Sequence, residues 1–256
     1  MRKIVLCIVF FLFGVMMTLP AQETAQARFD RANTLFSQGD YTQAMDIYRQ
    51  IKQSGEISGA LFLNMGIAAV QTDSMGLAKY YFLKALAFEQ TQPKAAEALE
   101  YVESQFSRQS ATLPKLPWDR AVEWLNKEAG SSGTFLVGII FVIGAVVMLC
   151  LQWFNILRIP VISWYRNGLL ATGLAVLLTA FYADYVDYRY NEAILIQEQS
   201  QVMQKPANES NLVSLAYEGY KLTIDEWKSS HEDHWYYIRL GNGQYGWVKS
   251  EGIKKL

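Results

Sequence analysis

The chain has 256 residues, of which 51% are hydrophobic and 18% charged, and its formal net charge is −1. That length suits one large or two small domains, and the near-neutral charge gives a nucleic-acid partner no electrostatic support. The apolar excess over an average soluble protein is gathered into three blocks, so an evenly packed soluble globule is a poor expectation.

The first block opens the chain, "MRKIVLCIVFFLFGVMMTLPAQE". Arg2 and Lys3 form a positive n-region, Ile4 to Leu19 an apolar h-region, and Leu19-Pro20-Ala21 places a small residue at the cut. These features predict a secretory signal peptide over residues 1–21. Cys7 lies inside the h-region with no small-residue box before it, which argues against a lipoprotein anchor. An uncleaved signal anchor is the alternative, and in both cases the segment after it is exported.

The next domain is expected over residues 22–110, with 25–106 helical in pattern. The stretches "FDRANTLFSQGDYTQAMDIYRQI" (29–51) and "LNMGIAAVQTDSMGLAKYYFLKA" (63–85) align at a 34-residue offset: Ala32 with Gly66, Ala44 with Ala78, Tyr48 with Phe82, Ile51 with Ala85. Small residues let antiparallel helices approach, and the aromatic pair fills the space between stacked hairpins. Gly39-Asp40 breaks the first unit between its helices; Asp73-Ser74 stands at the same place in the second. This pattern resembles the tetratricopeptide repeat, with units over about 25–58 and 59–92. Pro93 then opens a capping helix, 93–106, with Ala95, Leu99, Val102 and Phe106 as its apolar stripe.

The resemblance implies a concave protein-binding face lined by the first helix of each unit: Phe29, Asn33, Phe36, Leu63, Ile67, Val70 and Gln71. Part of that set is equally suited to plain interhelical core. Asn33 and Asn64 are similar to asparagines of the carboxylate-clamp subclass of such repeats. The basic residues that complete such a clamp are missing, because Phe29, Tyr101 and Gln105 stand in their places.

A linker, 111–132, comes next. "SATLPKLP" is held extended by its prolines, and "WDRAVEWLNKEAGSSG" reads as a short amphipathic helix with Trp118, Val122 and Leu125 on one stripe and Trp124 nearby. It suits a membrane surface and packing on the repeats equally well. Residues 133–154 carry no charge and are long enough to cross a hydrocarbon core of ~30 Å. The third block, 168–184, is shorter, with Trp164 and Tyr165 before it and Tyr185 and Tyr188 after it as an aromatic belt. The loop between them, 155–167, holds Arg158 and Arg166 and no acid, whereas the far side begins with Asp184 and Asp187. By the positive-inside rule the loop is cytoplasmic and both flanking domains are exported, in agreement with the export signal. The uncharged cores of these blocks hold no ionisable residue, which argues against a proton or substrate pathway. Cys7 and Cys150 are the only cysteines, so the exported domains carry no disulfide and no thiol nucleophile.

After a connector, 185–190, the pattern of 191–256 changes to short strands and turns. In "WYYIRL", Trp235, Tyr237 and Arg239 share one face, and Tyr236, Ile238 and Leu240 the other. The run Val202…Pro206, Glu218-Gly219, Trp235-x-x-Ile238, Asn242-Gly243, Gly246-Trp247-Val248 and Ile253 resembles bacterial SH3-like domains. The structural signature of that resemblance is Gly219, Trp235, Gly243, Gly246 and Trp247. It implies a small barrel of a kind that binds peptides or cell-wall fragments, or docks other proteins.

Three motifs in this region invite other chemistry. Gly241, Gly243 and Gly246 spell G-x-G-x-x-G, but a dinucleotide site needs a helix after the glycines, and only ten residues remain after Gly246. Asn242-Gly243 as a hairpin turn with positive φ, and Gly246 as a close-approach position before Trp247 enters the barrel, account for them better. His231 and His234, with Glu232 and Asp233, have the wrong spacing for a metal-binding strand face. Asn208-Glu209-Ser210 is a glycosylation sequon, a short motif that by itself says little. With no P-loop, H-E-x-x-H or G-x-S-x-G, the sequence offers no catalytic residue, no cofactor site and no metal site, and the expectation is a protein that is not an enzyme.

The fold class expected is therefore a multidomain membrane protein: an all-α tetratricopeptide-like repeat domain, two transmembrane helices and a small all-β SH3-like barrel. This order of modules resembles the BatE-type proteins of bacterial aerotolerance (Bat) operons. The resemblance implies an inner-membrane scaffold with both domains periplasmic. Its partners would be Bat-family von Willebrand factor A-type membrane proteins near a MoxR-type ATPase complex, in envelope or oxidative-stress tolerance. The alternative is peptidoglycan sensing or binding through the SH3-like domain.

Overall fold

The computed structural model describes residues 23–108, 113, 114, 117, 120, 124, 130–156 and 161–256. The signal segment 1–21, Arg158 and the stripe Trp118, Val122 and Leu125 lie outside the described residues; Trp124 is exposed. The chain divides into two compact units, Met1–Val102 and Glu103–Leu256.

The first unit is helical: α1 (Ala25–Ser37), α2 (Tyr41–Gln53), α3 (Gly59–Gln71) and α4 (Met75–Ala85), followed by α5 (Gln92–Gln105), which carries on past its boundary. Helices α1 and α3 start 34 residues apart, as do α2 and α4. The starts are locally encoded. Thr24 accepts a hydrogen bond from the Ala27 N–H and Ser58 one from the Leu61 N–H, satisfying donors that a helix N-terminus leaves free. Between the helices of each pair the chain turns through the left-handed region, at Gly39 (φ 87°) and at Asp73 (φ 54°), 34 residues on. Asp is among the few residues that tolerate this conformation, so the departure from Gly-Asp to Asp-Ser keeps the turn.

Every residue of the repeat signature is buried: Ala32, Ala44, Tyr48, Gly66, Ala78, Phe82 and Ala85. The two units close the same gap differently. In the second, a Cβ at Gly66 would run into the Phe82 ring, which occupies the space a side chain would need. In the first, Ala32 keeps its methyl and the aromatic partner is Tyr48, whose ring centroid lies 5.8 Å from that of Phe29. Helix α5 buries Ala95 and Val102. Phe106 falls just outside it and does not extend its stripe.

In the second unit, α6 (Gly130–Trp153) and α7 (Ile162–Arg189) form a tight helical hairpin. Both are long and apolar enough to cross a membrane. They meet through small residues: a Cβ at Gly138 would lie 2.8 Å from Leu177, and one at Gly173 would lie 3.0 Å from the Val142 backbone nitrogen. Arg166 donates to Gln152 Oε1 (2.7 Å) across the turn. Helix α7 exceeds the expected span 168–184 in both directions. It takes in Trp164, Tyr165 and Arg166 from the loop, and residues 185–189, which are helix and not a connector. Isolated acids such as Asp184 and Asp187 do not stop the helix.

Strand β1 (Tyr190–Leu195) begins at the residue after α7. Then come β2 (Gln199–Met203), β3 (Leu212–Tyr217), β4 (Lys221–Asp225), the short α8 (Glu226–Ser229), β5 (Trp235–Leu240), β6 (Tyr245–Lys249) and β7 (Ile253–Lys255). They form one antiparallel sheet in the order β3-β2-β6-β5-β4-β1-β7. It coils around a single apolar core that includes Leu195, Val202, Leu222, Ile224, Ile238 and Val248.

Candidate functional site

Two surfaces take shape from the sequence. The helical one is the face of α1 and α3. Phe29, Asn33, Phe36, Leu63, Ile67 and Val70 are half-buried and Gln71 is exposed, so all seven reach solvent in some measure. Asn33 is committed inward: its Oδ1 accepts from the Tyr48 hydroxyl (2.7 Å) and from Asn64 Nδ2 (2.9 Å). Burial pushes the Tyr48 phenol up, against the lowering effect of its hydrogen bond with Asn64, which keeps the hydroxyl a donor. The two clamp-like asparagines thus tie the first helical pair to the second.

The other surface is on the β domain. Across the β5–β6 ladder Trp235 faces Lys249, Tyr237 faces Trp247 and Arg239 faces Tyr245. Their neighbours Ile238, Leu240, Gly246 and Val248 are buried, so alternation turns these six residues to the outer face. There the Tyr237 and Tyr245 rings stack (centroids 6.2 Å apart, 17° between planes), and Tyr237 meets Trp247 edge-on at 5.2 Å. Cations flank the rings, with Lys228 Nζ 4.0 Å from the Tyr237 centroid and the Arg239 guanidinium 5.7 Å from that of Tyr245. Such a platform offers flat apolar faces and a positive rim.

Trp247 therefore lies on the outer sheet face, half-buried, and does not enter the core as the sequence led us to expect; Gly246 and Val248 do. A Cβ at Gly246 would lie 2.8 Å from the Met203 carbonyl oxygen, so glycine is needed where β6 passes β2. The β5–β6 turn is also built differently. Gly243 alone takes a positive φ, of 86°, and its N–H bonds the Leu240 carbonyl (2.9 Å) while Leu240 N–H bonds Gln244 O. That is a three-residue loop closing on a left-handed glycine. Asn242 contributes through its side chain, which accepts from the Gln244 N–H at 3.0 Å.

Of the remaining signature residues, Gly219 turns β3 into β4 (φ 78°) and lies under the Phe106 ring. The segment upstream touches the same domain again: Arg108 donates to the Tyr217 hydroxyl (2.7 Å), and the Leu113 N–H to the Gly241 carbonyl (2.9 Å). His231 and His234 sit in the turn after α8, where His231 Nδ1 contacts the Trp227 carbonyl at 2.9 Å. Among the described residues no group of side chains is placed to hold a metal ion.

Beside the same short helix, Arg189 binds Asp225 through Nη2 (2.8 Å) and Nε (3.2 Å). Asp225 also accepts from the Lys228 N–H (3.1 Å) and so caps α8. Burial pushes its carboxyl up, but the hydrogen bonds from Arg189 and Lys228 outweigh burial and hold it below the ordinary value.

A coiled antiparallel sheet with its short strands, tight glycine turns and one core defines a small β domain compatible with the SH3-like class. Residues 186–254 match the family model of the GW (Gly-Tryp) dipeptide domain, and Gly246-Trp247 is the Gly-Trp pair within that stretch. No curated protein matches the chain.

Proposed function

We propose that the chain is a non-enzymatic, membrane-tethered envelope protein whose β domain binds cell-wall material. The observation that carries this reading is the aromatic and cationic outer face of β5 and β6, which has the chemistry to stack on sugar rings or peptide planes and hold anionic groups. The likeness of residues 186–254 to the GW domain points the same way. Helices α6 and α7 would be the tether, with both flanking domains outside the cytoplasm and the Arg166 turn inside. Sedimentation of the detergent-solubilised full chain with purified cell wall tests the reading. The expected result is co-sedimentation that Tyr245→Ala combined with Arg239→Ala weakens about tenfold, a loss near 1.4 kcal/mol. An unbound wild-type chain would sink it.

A second role is supported by the 34-residue helical repeat and its half-exposed α1–α3 face, which suit a protein partner in the manner of tetratricopeptide repeats. The resemblance to BatE-type proteins makes von Willebrand factor A-type membrane proteins and a MoxR-type ATPase complex the partners to look for, in aerotolerance or envelope stress. Crosslinking in cells through residues 25–106 addresses it; recovery of no such partner would remove the Bat reading and leave cell-wall binding standing.

A further inference from the structure

We infer that the β domain lies on the surface of the bilayer that holds α6 and α7, with Trp227 seated among the lipid headgroups. The inference rests on the reading of those helices as membrane spans.

Three observations converge. First, no linker separates helix from domain: α7 ends at Arg189 and β1 starts at Tyr190. A helix rises 1.5 Å per residue, so the roughly 20 residues that fill a ~30 Å core end near Asp184 when counted from Trp164 and Tyr165. The domain therefore starts about two turns above the hydrocarbon edge. Second, the residues at that level are aromatic and exposed: Tyr185 is 48%, Tyr188 83% and Trp227 63% solvent-accessible. Tyr and Trp prefer the interface, where one end of the ring is apolar and the other wet. Third, Trp227 is held at this level by construction. The Arg189 guanidinium lies 5.3 Å from the Trp227 ring centroid and 5.5 Å from that of Tyr185, and it hydrogen-bonds the Tyr185 hydroxyl. Asp225 grips Arg189 and caps α8, the helix that carries Trp227. One carboxylate thus fixes a ring of the β domain beside the last turns of the apolar helix. Of the groups packed on the Trp227 ring, Arg189 is paired with Asp225, and the His231 ring meets it edge-on at 6.2 Å.

The test uses the full chain in phosphatidylethanolamine–phosphatidylglycerol nanodiscs, with Cys7 and Cys150 replaced and an environment-sensitive fluorophore on one new cysteine at a time. The sites are Trp227→Cys, Tyr188→Cys on the same belt, Asn242→Cys at the far hairpin, and Ile140→Cys inside α6. The expected result is quenching of the labels at 227 and 188 by headgroup spin-labelled lipid, with iodide quenching about threefold weaker than at 242. If label 140 is quenched by acyl-chain spin labels but 227 is as open to iodide as 242, the surface seat of the domain is wrong and the spans stand. The surface seat is equally wrong if 227 is shielded from iodide yet untouched by lipid quenchers, because protein then covers it. If label 140 escapes acyl-chain quenching, the spans are wrong and the inference falls with them.

Discussion

Helices α3 and α6 are both strongly apolar, yet they meet opposite fates. In α3, Leu61, Met65, Ala68 and Ala69 are at most 1% exposed. In α6, Leu136 is 60% and Ile140 66% exposed, and burial is confined to Thr134, Gly138 and Ala145. The difference lies in neighbours and in length. Helix α3 has α2 and α4 packed on it, and its 13 residues span ~20 Å, too short to cross a bilayer. Helix α6 meets α7 closely at Gly138 and Gly173 and turns large side chains such as Leu136, Ile140 and Ile143 outward. Hydropathy alone therefore does not distinguish a core helix from a candidate span; the ratio of large exposed to small buried residues does.

The largest effect is expected where the protein supplies the neighbours. Phe82 is 1% exposed and its ring fills the notch at Gly66. Phe82→Ala should cost the helical unit about 4 kcal/mol, read as loss of cooperative helical signal in denaturant titration. Ile140→Ala, on the outward face of α6, should change stability by no more than about 0.5 kcal/mol. Equal costs at the two positions would erase the contrast.

A charge sharpens it from the other side. Ile140 sits near the middle of α6, where an arginine costs about 3 kcal/mol to insert. Ile140→Arg should lower the ratio of carbonate-resistant to soluble chain about a hundredfold relative to wild type. Integration at the wild-type level would show that this face does not meet lipid.

The features legible in the sequence are those with local or periodic causes. The 34-residue spacing of small and aromatic residues locates α1 to α4, because helical pairs repeat when their contact residues repeat. Alternation in "WYYIRL" separates core from surface on β5 for the same reason. The same alternation in "YGWVK" turns Trp247 outward; the Gly-Trp pair suggests the core instead, because motif identity says nothing about which face a side chain takes. The extent of α7 is hidden because hydropathy stops at the first charge, whereas the helix continues to Arg189. The clamp between Arg189 and Asp225 joins residues 36 positions apart, and no local pattern announces such a pair. The Asn33–Tyr48–Asn64 network is half-visible: the two asparagines stand out, but their use on one another depends on how the hairpins stack.

The Arg189–Asp225 clamp gives a smaller effect than Phe82→Ala or Ile140→Arg, on a polar contact that anchors the β domain to α7. Asp225 is 7% exposed, and its carboxyl is held below the ordinary value by Arg189 and Lys228. A depressed carboxyl contributes stability above its unfolded pKa, near 3.9, and loses it as pH falls through the lower folded value. Asp225→Asn should therefore destabilise the β domain by about 2 kcal/mol at pH 7, followed by tryptophan fluorescence in denaturant. The gap between wild type and variant should hold down to about pH 4 and close below it. A gap that persists undiminished at the lowest pH would mean that Asp225 acts through the packing of α8 and not through its charge. The junction would then owe its rigidity to the unbroken passage from α7 into β1, a covalent cause that acidity cannot reach.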